Sequence, residues 1–346
     1  MKNIALLILL VFISFSCKSK KKITEKLKID RAAVKYAKII NLDTAEEHVF
    51  ILASDKFEGR QTGEKGQKIA ANYLAQNYTI NGIPKYLEKN YFQTIPVSDL
   101  INKRRKYVSN SPSENVVAFI EGTEKPEEVL IISSHYDHEG IKKGLIYNGA
   151  DDNASGTTGV LLIAKAFAKA KKDGHGPKRS IMFVNFTGEE KGLLGSKYFV
   201  ANPILPLKNI VVNLNIDMIG RIGKDRQNDS DYIYVIGADR LSTELHEINE
   251  RMNSTYTNIE LDYQYNERSD PNRFYKRSDH YNFAKKGIPI AFYFNGTHED
   301  YHKPTDTPDK ILLDLLVKRV KLVFHTAWEI ANRDERIVVD VEQEKN

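Results

Sequence analysis

The chain has 346 residues, of which 41% are hydrophobic and 28% are charged, with 20 glycines and 11 prolines. This length allows one large α/β domain or two ordinary ones, and the composition excludes a wholly disordered chain. The formal net charge is only +5. No basic cluster interleaved with aromatic residues stands out in the body of the chain, so the sequence argues against a nucleic-acid partner.

The first 17 residues predict an export signal that ends at a cysteine. Lys2 precedes an apolar run over 4–13, which is too short to span a bilayer, and serines at 14 and 16 lead to Cys17. This segment resembles the lipobox of bacterial lipoproteins, which implies a signal peptide over 1–16 and an acylated Cys17. We therefore expect an exported protein, anchored to the membrane through Cys17 in the periplasm or on the surface of a bacterial cell. The alternative is a buried N-terminal helix with an incidental cysteine.

The rest of the chain is predicted to form one domain. Cys17 is the only cysteine, so core packing must stabilise the fold without intrachain disulfides. Residues 17–30 continue as a basic tether, with lysines at 18, 20, 21 and 22 that could contact acidic lipid head groups. A single folded domain over 31–333 and a charged, fraying tail over 334–346 complete the expected organisation.

Helices and strands alternate along this domain. The apolar spacing predicts a helix over 31–52, a polar loop over 53–62, a helix over 63–78, and strands over 91–97 and 116–120. From Val129 the pattern becomes strand, polar loop and helix, repeated. Strands are predicted over 129–133, 180–186, 210–216, 232–237 and 288–294, and helices over 159–170, 192–200, 241–252 and 311–333. This order predicts a three-layer α/β/α sandwich with a mostly parallel mixed central sheet, in which ligands collect at the carboxyl ends of the strands.

Polar clusters with metal-binding side chains follow the predicted strands. SSHYDH (133–138) supplies His135, and Asp137 could accept the other ring proton of that histidine. Imidazole and carboxylate ligands suit zinc, and two metals about 3.5–4 Å apart need a bridging carboxylate. Asp152 in GADDNASG (149–156) is the candidate bridge, because a turn rich in small residues allows close approach. Taken alone, His135 and Asp137 could also be a surface pair.

Two further clusters complete the set. Glu189 and Glu190 are adjacent, so one could bind metal while the other moves a proton, although acids at a helix N-terminus are also common. Asp217 in NIDMIG follows an apolar strand, where a lone buried carboxylate is costly unless it is paired or metal-bound. HEDYHKPTDT (298–307) offers His298 and His302 on a loop that prolines make rigid.

These motifs together resemble metallopeptidase family 28, the co-catalytic di-zinc aminopeptidases. The resemblance covers roughly residues 55–332 and includes EGRQTG (58–63), similar to the opening motif of the family. It implies the zinc-dependent exopeptidase fold and two zinc ions, with these metal ligands: His135 and Asp217 for one ion, Glu190 and His302 for the other, and Asp152 shared.

The resemblance also implies the remaining site roles. Glu189 would be the general base, and YHKPTDT resembles the family's Tyr-His-x-Pro motif, so His302 is preferred over His298 as ligand. Tyr301 could then donate to the substrate carbonyl as an oxyanion forms, or could simply be a packing aromatic. RSDHYNF (277–283) resembles a further family motif, in which Asp279 and His280 would border the cleft without binding metal.

The expected activity is release of N-terminal amino acids from peptides by a hydroxide that two metal ions activate. One alternative is a glutaminyl cyclase-like acyltransferase on the same fold, and another is a metal-free binding or receptor-like relative. The polar loops over 223–231 and 258–276 are expected to border the cleft, but they carry no motif that specifies a side-chain preference. Carboxypeptidase or dipeptidase action and the oligomeric state stay open at this point.

Overall fold

The structure is a computed structural model, and it describes residues 29–342 except 103, 105 and 228. The predicted signal peptide, Cys17 and most of the basic tether lie outside the described residues, as do residues 343–346. No helix in the part of the chain that the structure describes combines the length and apolarity needed to cross a bilayer.

One mixed sheet forms the centre of the domain. Its strands are β1 (Phe92–Ile95), β2 (Ser113–Ile120), β3 (Lys125–His135), β6 (Arg179–Phe186), β7 (Ile210–Ile216), β8 (Tyr232–Ile236), β9 (Glu260–Asp262) and β10 (Ile290–Phe294). A separate hairpin consists of β4 (Gly140–Lys142) and β5 (Leu145–Tyr147). The order in the sheet is β1-β2-β6-β3-β7-β10-β8-β9, and the four central strands β6, β3, β7 and β10 run parallel to one another.

Helices cover both faces of this sheet. They are α1 (Arg31–Ala37), α2 (Leu42–Leu52), α3 (Lys65–Ile80), α4 (Gly156–Lys172), α5 (Leu194–Ala201), α6 (Thr243–Met252), α7 (His280–Ala284) and α8 (Leu313–Asn332). Side chains along β3 alternate between the layers: Leu130 and Ile132 pack with α4 and α8, whereas Val129 and Ile131 pack with α5 and α7. Burying each such aliphatic side chain contributes about 1.5–3 kcal/mol. The predicted three-layer α/β/α sandwich is confirmed.

Three local features differ from the predicted elements. The helix predicted over 31–52 is two helices, because the Asn41 side chain accepts from Thr44 N and begins α2 as a new helix. The β4–β5 hairpin was not predicted. The segment after α8 is ordered against α6 as far as residue 342: Ile337 is buried and the Asp340 carboxylate accepts from Thr243 N.

Candidate metal centre

Four neighbouring strands bring the predicted site residues to one end of the sheet. His135 is the last residue of β3, and Asp217 directly follows β7. Both glutamates of the TGEE cluster lie after β6, and His302 lies in the loop after β10. Because these strands are parallel and adjacent, their carboxyl ends meet. Asp152 reaches the same place from the turn before α4, so the structure gathers all five residues predicted as ligands.

The first donor group consists of His135, Asp152 and Asp217. The Nε2 atom of His135 lies 3.2 Å from Oδ1 of Asp217 and 3.4 Å from Oδ1 of Asp152. Nδ1–H of the same ring donates to the main-chain carbonyl of Asp137 at 3.1 Å, so the Nε2 lone pair faces the two carboxylates. Ser278 Oγ donates to Oδ2 of Asp217 at 2.7 Å and fixes that carboxylate. This arrangement leaves one side of each donor free for a cation.

The second donor group contains His138, Asp152 and Glu190, with His302 beside them. Nδ1 of His138 donates to Oε1 of Glu190 at 2.8 Å. Nε2 of His302 lies 3.0 Å from Oδ2 of Asp152 and 3.1 Å from Oε2 of Glu190. Asp152 therefore presents Oδ1 to the first group and Oδ2 to the second, which is the geometry that a bridging carboxylate needs.

His138 is the site residue that the sequence reasoning missed. It belongs to the SSHYDH cluster, but a second histidine three positions after a candidate ligand gave no reason to assign it a role. The side chain is fully buried, and its Nε2 atom has no hydrogen-bond partner among the described residues. The available signal was its place in the loop directly after β3, where the ends of the parallel strands converge.

Asp137, which was predicted to accept the His135 ring proton, does so through its main chain. Its carboxylate Oδ1 is 3.8 Å from His135 Nδ1, beyond hydrogen-bond distance. The two carboxylate oxygens accept instead from Thr62 Oγ1 at 2.9 Å and from Glu189 N at 3.1 Å. Both carboxylate oxygens of Asp137 already accept hydrogen bonds from these two donors. Asp137 therefore connects the chain at the end of β3 to the loop that carries the two glutamates.

The two adjacent glutamates have opposite electrostatic environments. Burial raises the pKa of Glu189 well above its usual range, and the nearby Glu190 and Asp217 carboxylates add to this effect against His135. Burial would also raise the pKa of Glu190, but hydrogen bonds from His138 and His302 outweigh it and lower that pKa to about 2. Glu190 is therefore an ionised carboxylate that can bind a metal ion, whereas Glu189 is able to hold a proton.

The turn that carries Asp152 is fixed by contacts from two distant segments and by a glycine within the turn. Arg60, in the EGRQTG motif, is buried and donates to the carbonyls of Gly149 at 2.8 Å and of Asn148 at 2.6 Å. The Asp306 carboxylate accepts from the main-chain N–H groups of Asp151 and Asp152 at 3.1 Å. Gly149 has φ +55°, and a Cβ there would lie 2.2 Å from the carbonyl oxygen of Asp152 and 2.5 Å from the His138 ring. The turn therefore requires glycine at 149.

His298, over which His302 was preferred as a ligand, binds Asp151, the neighbour of Asp152 in the turn. Nε2 of His298 lies 3.0 Å from Oδ2 of Asp151, and Asn295 Nδ2 donates to the same oxygen at 3.0 Å. The other oxygen of Asp151 accepts from Gly220 N at 2.7 Å. These contacts join the turn to the loops after β7 and β10, outside the two donor groups.

An aromatic cleft opens beside the two donor groups. The Tyr301 ring lies over the His302 ring with centroids 3.9 Å apart, and Tyr301 OH accepts from Arg277 Nη2 at 3.3 Å. Burial raises the pKa of Tyr301, so the phenol stays protonated and able to donate. The apolar residues that line this cleft are Met218, Phe274, Phe292 and Phe294.

Asp279 and His280, predicted to border the cleft without binding metal, are both fully buried behind it. His280 stacks on Phe292 with ring centroids 4.4 Å apart, and its Nε2–H donates to the carbonyl of Tyr275 at 2.9 Å. Burial raises the pKa of Asp279 to about 7. Neither residue belongs to a group of potential metal-binding atoms.

The donor atoms fit zinc in kind and in spacing. Nitrogen and oxygen atoms about 2.0–2.1 Å from a tetrahedral zinc ion lie about 3.3 Å from one another. The measured separations are 3.2 and 3.4 Å in the first group and 3.0 and 3.1 Å in the second. The imidazole and carboxylate set also matches the ligand preference of this metal. Nε2 of the buried His138 is a further polar atom, and no residue in the described part of the chain forms a hydrogen bond with it.

Comparison with known proteins agrees with this geometry. The family model described as peptidase family M28 matches residues 115–327, which is more than half of the chain. The chain therefore belongs to peptidase family M28, and the family predicted from the sequence is confirmed.

Individual relatives are more distant. A probable leucine aminopeptidase of Arthroderma otae is 30% identical over 213 residues, which are 60% of this chain and 55% of that protein, so the match spans only about half of that relative's length. The zinc aminopeptidase of Bacillus subtilis has a TM-score of 0.62 at 16% identity, covering 87% of this chain and 98% of the other. Porphyromonas gingivalis glutaminyl cyclase has a TM-score of 0.66 at 17% identity, covering 83% and 97%. The two structural matches show the shared fold.

Proposed function

We propose that the protein is a two-zinc aminopeptidase that releases N-terminal amino acids from peptides. The observation that carries this proposal is Asp152, whose two carboxylate oxygens face two separate groups of nitrogen and oxygen donors. Membership of family M28 and the name of the A. otae relative support the reaction class. The B. subtilis neighbour, named a zinc aminopeptidase, supports the choice of metal.

The residues that would hold the metal follow from the two groups. His135 and Asp217 would bind one zinc ion, Glu190 and His302 would bind the other, and Asp152 would be shared. When bound there, zinc would lower the pKa of a water molecule and polarise the scissile carbonyl. Three of these ligands are held by a hydrogen bond with a residue outside the ligand set: His135 by the Asp137 carbonyl, Asp217 by Ser278 and Glu190 by His138.

The protein side chains would then position the substrate and move the proton. Glu189, with its raised pKa, can accept a proton from the attacking water and donate it to the leaving amine. The Tyr301 hydroxyl, held by Arg277, can donate to the carbonyl oxygen as negative charge develops there. Met218 and the three phenylalanines form an apolar wall of the cleft that an apolar side chain on the N-terminal residue can contact.

The test combines metal analysis with a substrate panel. Zinc content per chain is measured on the purified protein, and the panel contains aminoacyl-anilides, N-blocked peptides and peptides that begin with glutamine. We expect two zinc ions per chain and hydrolysis of the free-amine substrates alone. Pyroglutamate formation would instead show a cyclase, and cleavage of N-blocked peptides would exclude an aminopeptidase.

We also propose that the chain is a bacterial lipoprotein, anchored through acylated Cys17 after removal of residues 1–16. The support is the resemblance of the segment before Cys17 to a lipobox and the lysines that follow it. Mass spectrometry of the N-terminal peptide from the membrane fraction tests this proposal. A diacylated or triacylated Cys17 is expected, and recovery of residues 1–16 on the mature chain would contradict it.

A further inference from the structure

A groove lies at the end of the domain opposite the candidate metal centre. It has a volume of about 670 Å³ and is formed where α3 and α4 end, beside the end of β2. We call it the basal groove. Its apolar residues are Ile39, Ile80, Pro84, Ile120 and Ala168, and its charged residues are all lysines, namely Lys165, Lys169, Lys171 and Lys172. Ile80 is 74% exposed at its edge, which is unusual for a large aliphatic side chain.

The position of α4 accounts for only some of the lysines in the basal groove. Lys169, Lys171 and Lys172 are in the last turn of α4, where cations are favoured by the helix dipole. Lys169 pairs with Asp173, and Lys171 donates to the carbonyl of Glu121 at 2.8 Å. Lys165 lies before the last turn, and neither Lys165 nor Lys172 forms an ion pair with a described residue. Two positive charges therefore face the groove without a counter-ion among the described residues.

The chain enters the folded domain at this same end. Lys35 and Tyr36 of α1 both contact the Asp173 carboxylate at the end of α4, at 3.1 and 3.2 Å. Asp30, which precedes α1, accepts from Trp328 Nε1 near the end of α8. Cys17 precedes the first described residue, Ile29, by 12 residues, which can span at most about 40 Å. An anchor at Cys17 would keep the basal groove close to the bilayer.

The candidate metal centre lies at the opposite end of the domain from the basal groove. α4 begins at Gly156, directly after the turn that carries Asp152, and ends at Lys172. Its length of about 25 Å separates the donor groups from the lysines. If the basal groove faces the membrane, the aromatic cleft opens away from the bilayer and stays accessible to peptides.

We propose that the basal groove docks the domain on the anionic phospholipid head groups of the membrane. Lys165 and Lys172 would bind head-group phosphates, and the exposed Ile80 would contact the acyl boundary between them. A positively charged surface with an exposed aliphatic residue, held near a bilayer by a short tether, matches the chemistry of such a partner. The inference uses the proposed lipid anchor and is independent of peptidase activity.

The test is hydrogen–deuterium exchange of the full acylated chain on vesicles. Vesicles of phosphatidylcholine alone are compared with vesicles that also contain phosphatidylglycerol. We expect amides around Ile80 and over 165–172 to exchange more slowly only on the anionic vesicles, and the protection to disappear in high salt because the charges are screened. Acylation of Cys17 is read from the mass of the N-terminal peptide in the same samples, and peptidase activity is assayed in parallel.

A pair of matched variants isolates the lysines. Lys165→Gln with Lys172→Gln should lower the equilibrium constant for docking roughly 25-fold, since each lysine near an anionic surface contributes about fivefold. Lys143→Gln with Lys224→Gln makes the same charge change in exposed loops on the metal-centre end and should leave the protection unchanged. Equal protection on both vesicle types, no protection on either, or an equal loss in both double variants would overturn the proposal.

Discussion

His138→Asn is the substitution that most directly tests how the second donor group works. His138 donates to Oε1 of Glu190 at 2.8 Å, which leaves Oε2 of Glu190 facing His302. An asparagine cannot reach this oxygen in the same way, so the carboxylate loses the contact that selects its orientation. Removing a hydrogen-bond partner of a metal ligand typically weakens metal binding 10- to 100-fold, about 1.4–2.8 kcal/mol.

The effect should be confined to one of two zinc ions. His138 is 3.8 Å from Asp152 at its nearest carboxylate oxygen and makes no hydrogen bond to the first group among the described residues. We expect competition with a chelator to show one zinc ion weakened by this factor and the other retained at nearly its original affinity. His325→Asn, on α8, is the control for loss of a buried imidazole, because its ring stacks on Tyr256 away from the metal centre.

The reasoning is refuted by either of two results. Unchanged affinity for both ions would show that the Glu190 carboxylate does not need His138 for its orientation. If the affinity for both zinc ions falls equally, His138 acts through the general stability of the domain. An equal loss of zinc affinity in the His325→Asn variant would lead to the same conclusion.

Three further predictions concern the proton carrier, the glycine turn and the metal. Glu189→Gln should keep both zinc ions, measured by metal analysis, and lower kcat by about 10²–10⁴-fold, whereas near-normal turnover would exclude the base role. Gly149→Ala should lower the free energy of unfolding by at least about 2 kcal/mol in denaturant titrations, since the added Cβ meets backbone and ring atoms, while Gly144→Ala, at φ +77° in open space, should cost only about 1 kcal/mol. Removal of metal by a chelator should lower Tm reversibly, because the negative charges of the buried carboxylates are then no longer balanced by zinc. A Tm that does not change when zinc is removed or added would show that other groups neutralise these carboxylates.

The parallel arrangement of the central strands could be predicted because these strands are buried on both faces. β3, β6, β7 and β10 are nearly continuous apolar runs, which only a parallel sheet between two helix layers accommodates. The β4–β5 hairpin has three residues in each strand, too few for any periodic pattern. The break between α1 and α2 depends on one capping side chain, Asn41, within an otherwise helical pattern.

The donor residues could be predicted for a related reason. His135 ends an apolar strand, and Asp217, the two glutamates and His302 follow such strands, so the rule that strand ends converge grouped them. Asp152 was predicted instead from its turn of small residues and from the family resemblance. The contacts that hold them could not be predicted, because they join positions far apart in sequence. Arg60 reaches carbonyls of residues 136 and 148, and Asp306 reaches the N–H groups of residues 151 and 152. A buried arginine or aspartate in a loop has no sequence pattern that identifies such partners.

The topology also explains why the shared carboxylate comes from a turn. β3 lies between β6 and β7 in the sheet, so donors at the three strand ends are spaced at about 4.8 Å intervals, with His135 in the middle. Asp217, which follows β7, presents one oxygen to His135, and its other oxygen accepts from Ser278. Asp152 lies on the turn between the β4–β5 hairpin and α4, not on a strand of the sheet. One of its carboxylate oxygens therefore lies near His135 and the other lies near His302. Contacts from Arg60 and Asp306 hold this turn, together with Asn153 Nδ2, which donates to the carbonyl of Ile216 at the end of β7 at 3.0 Å.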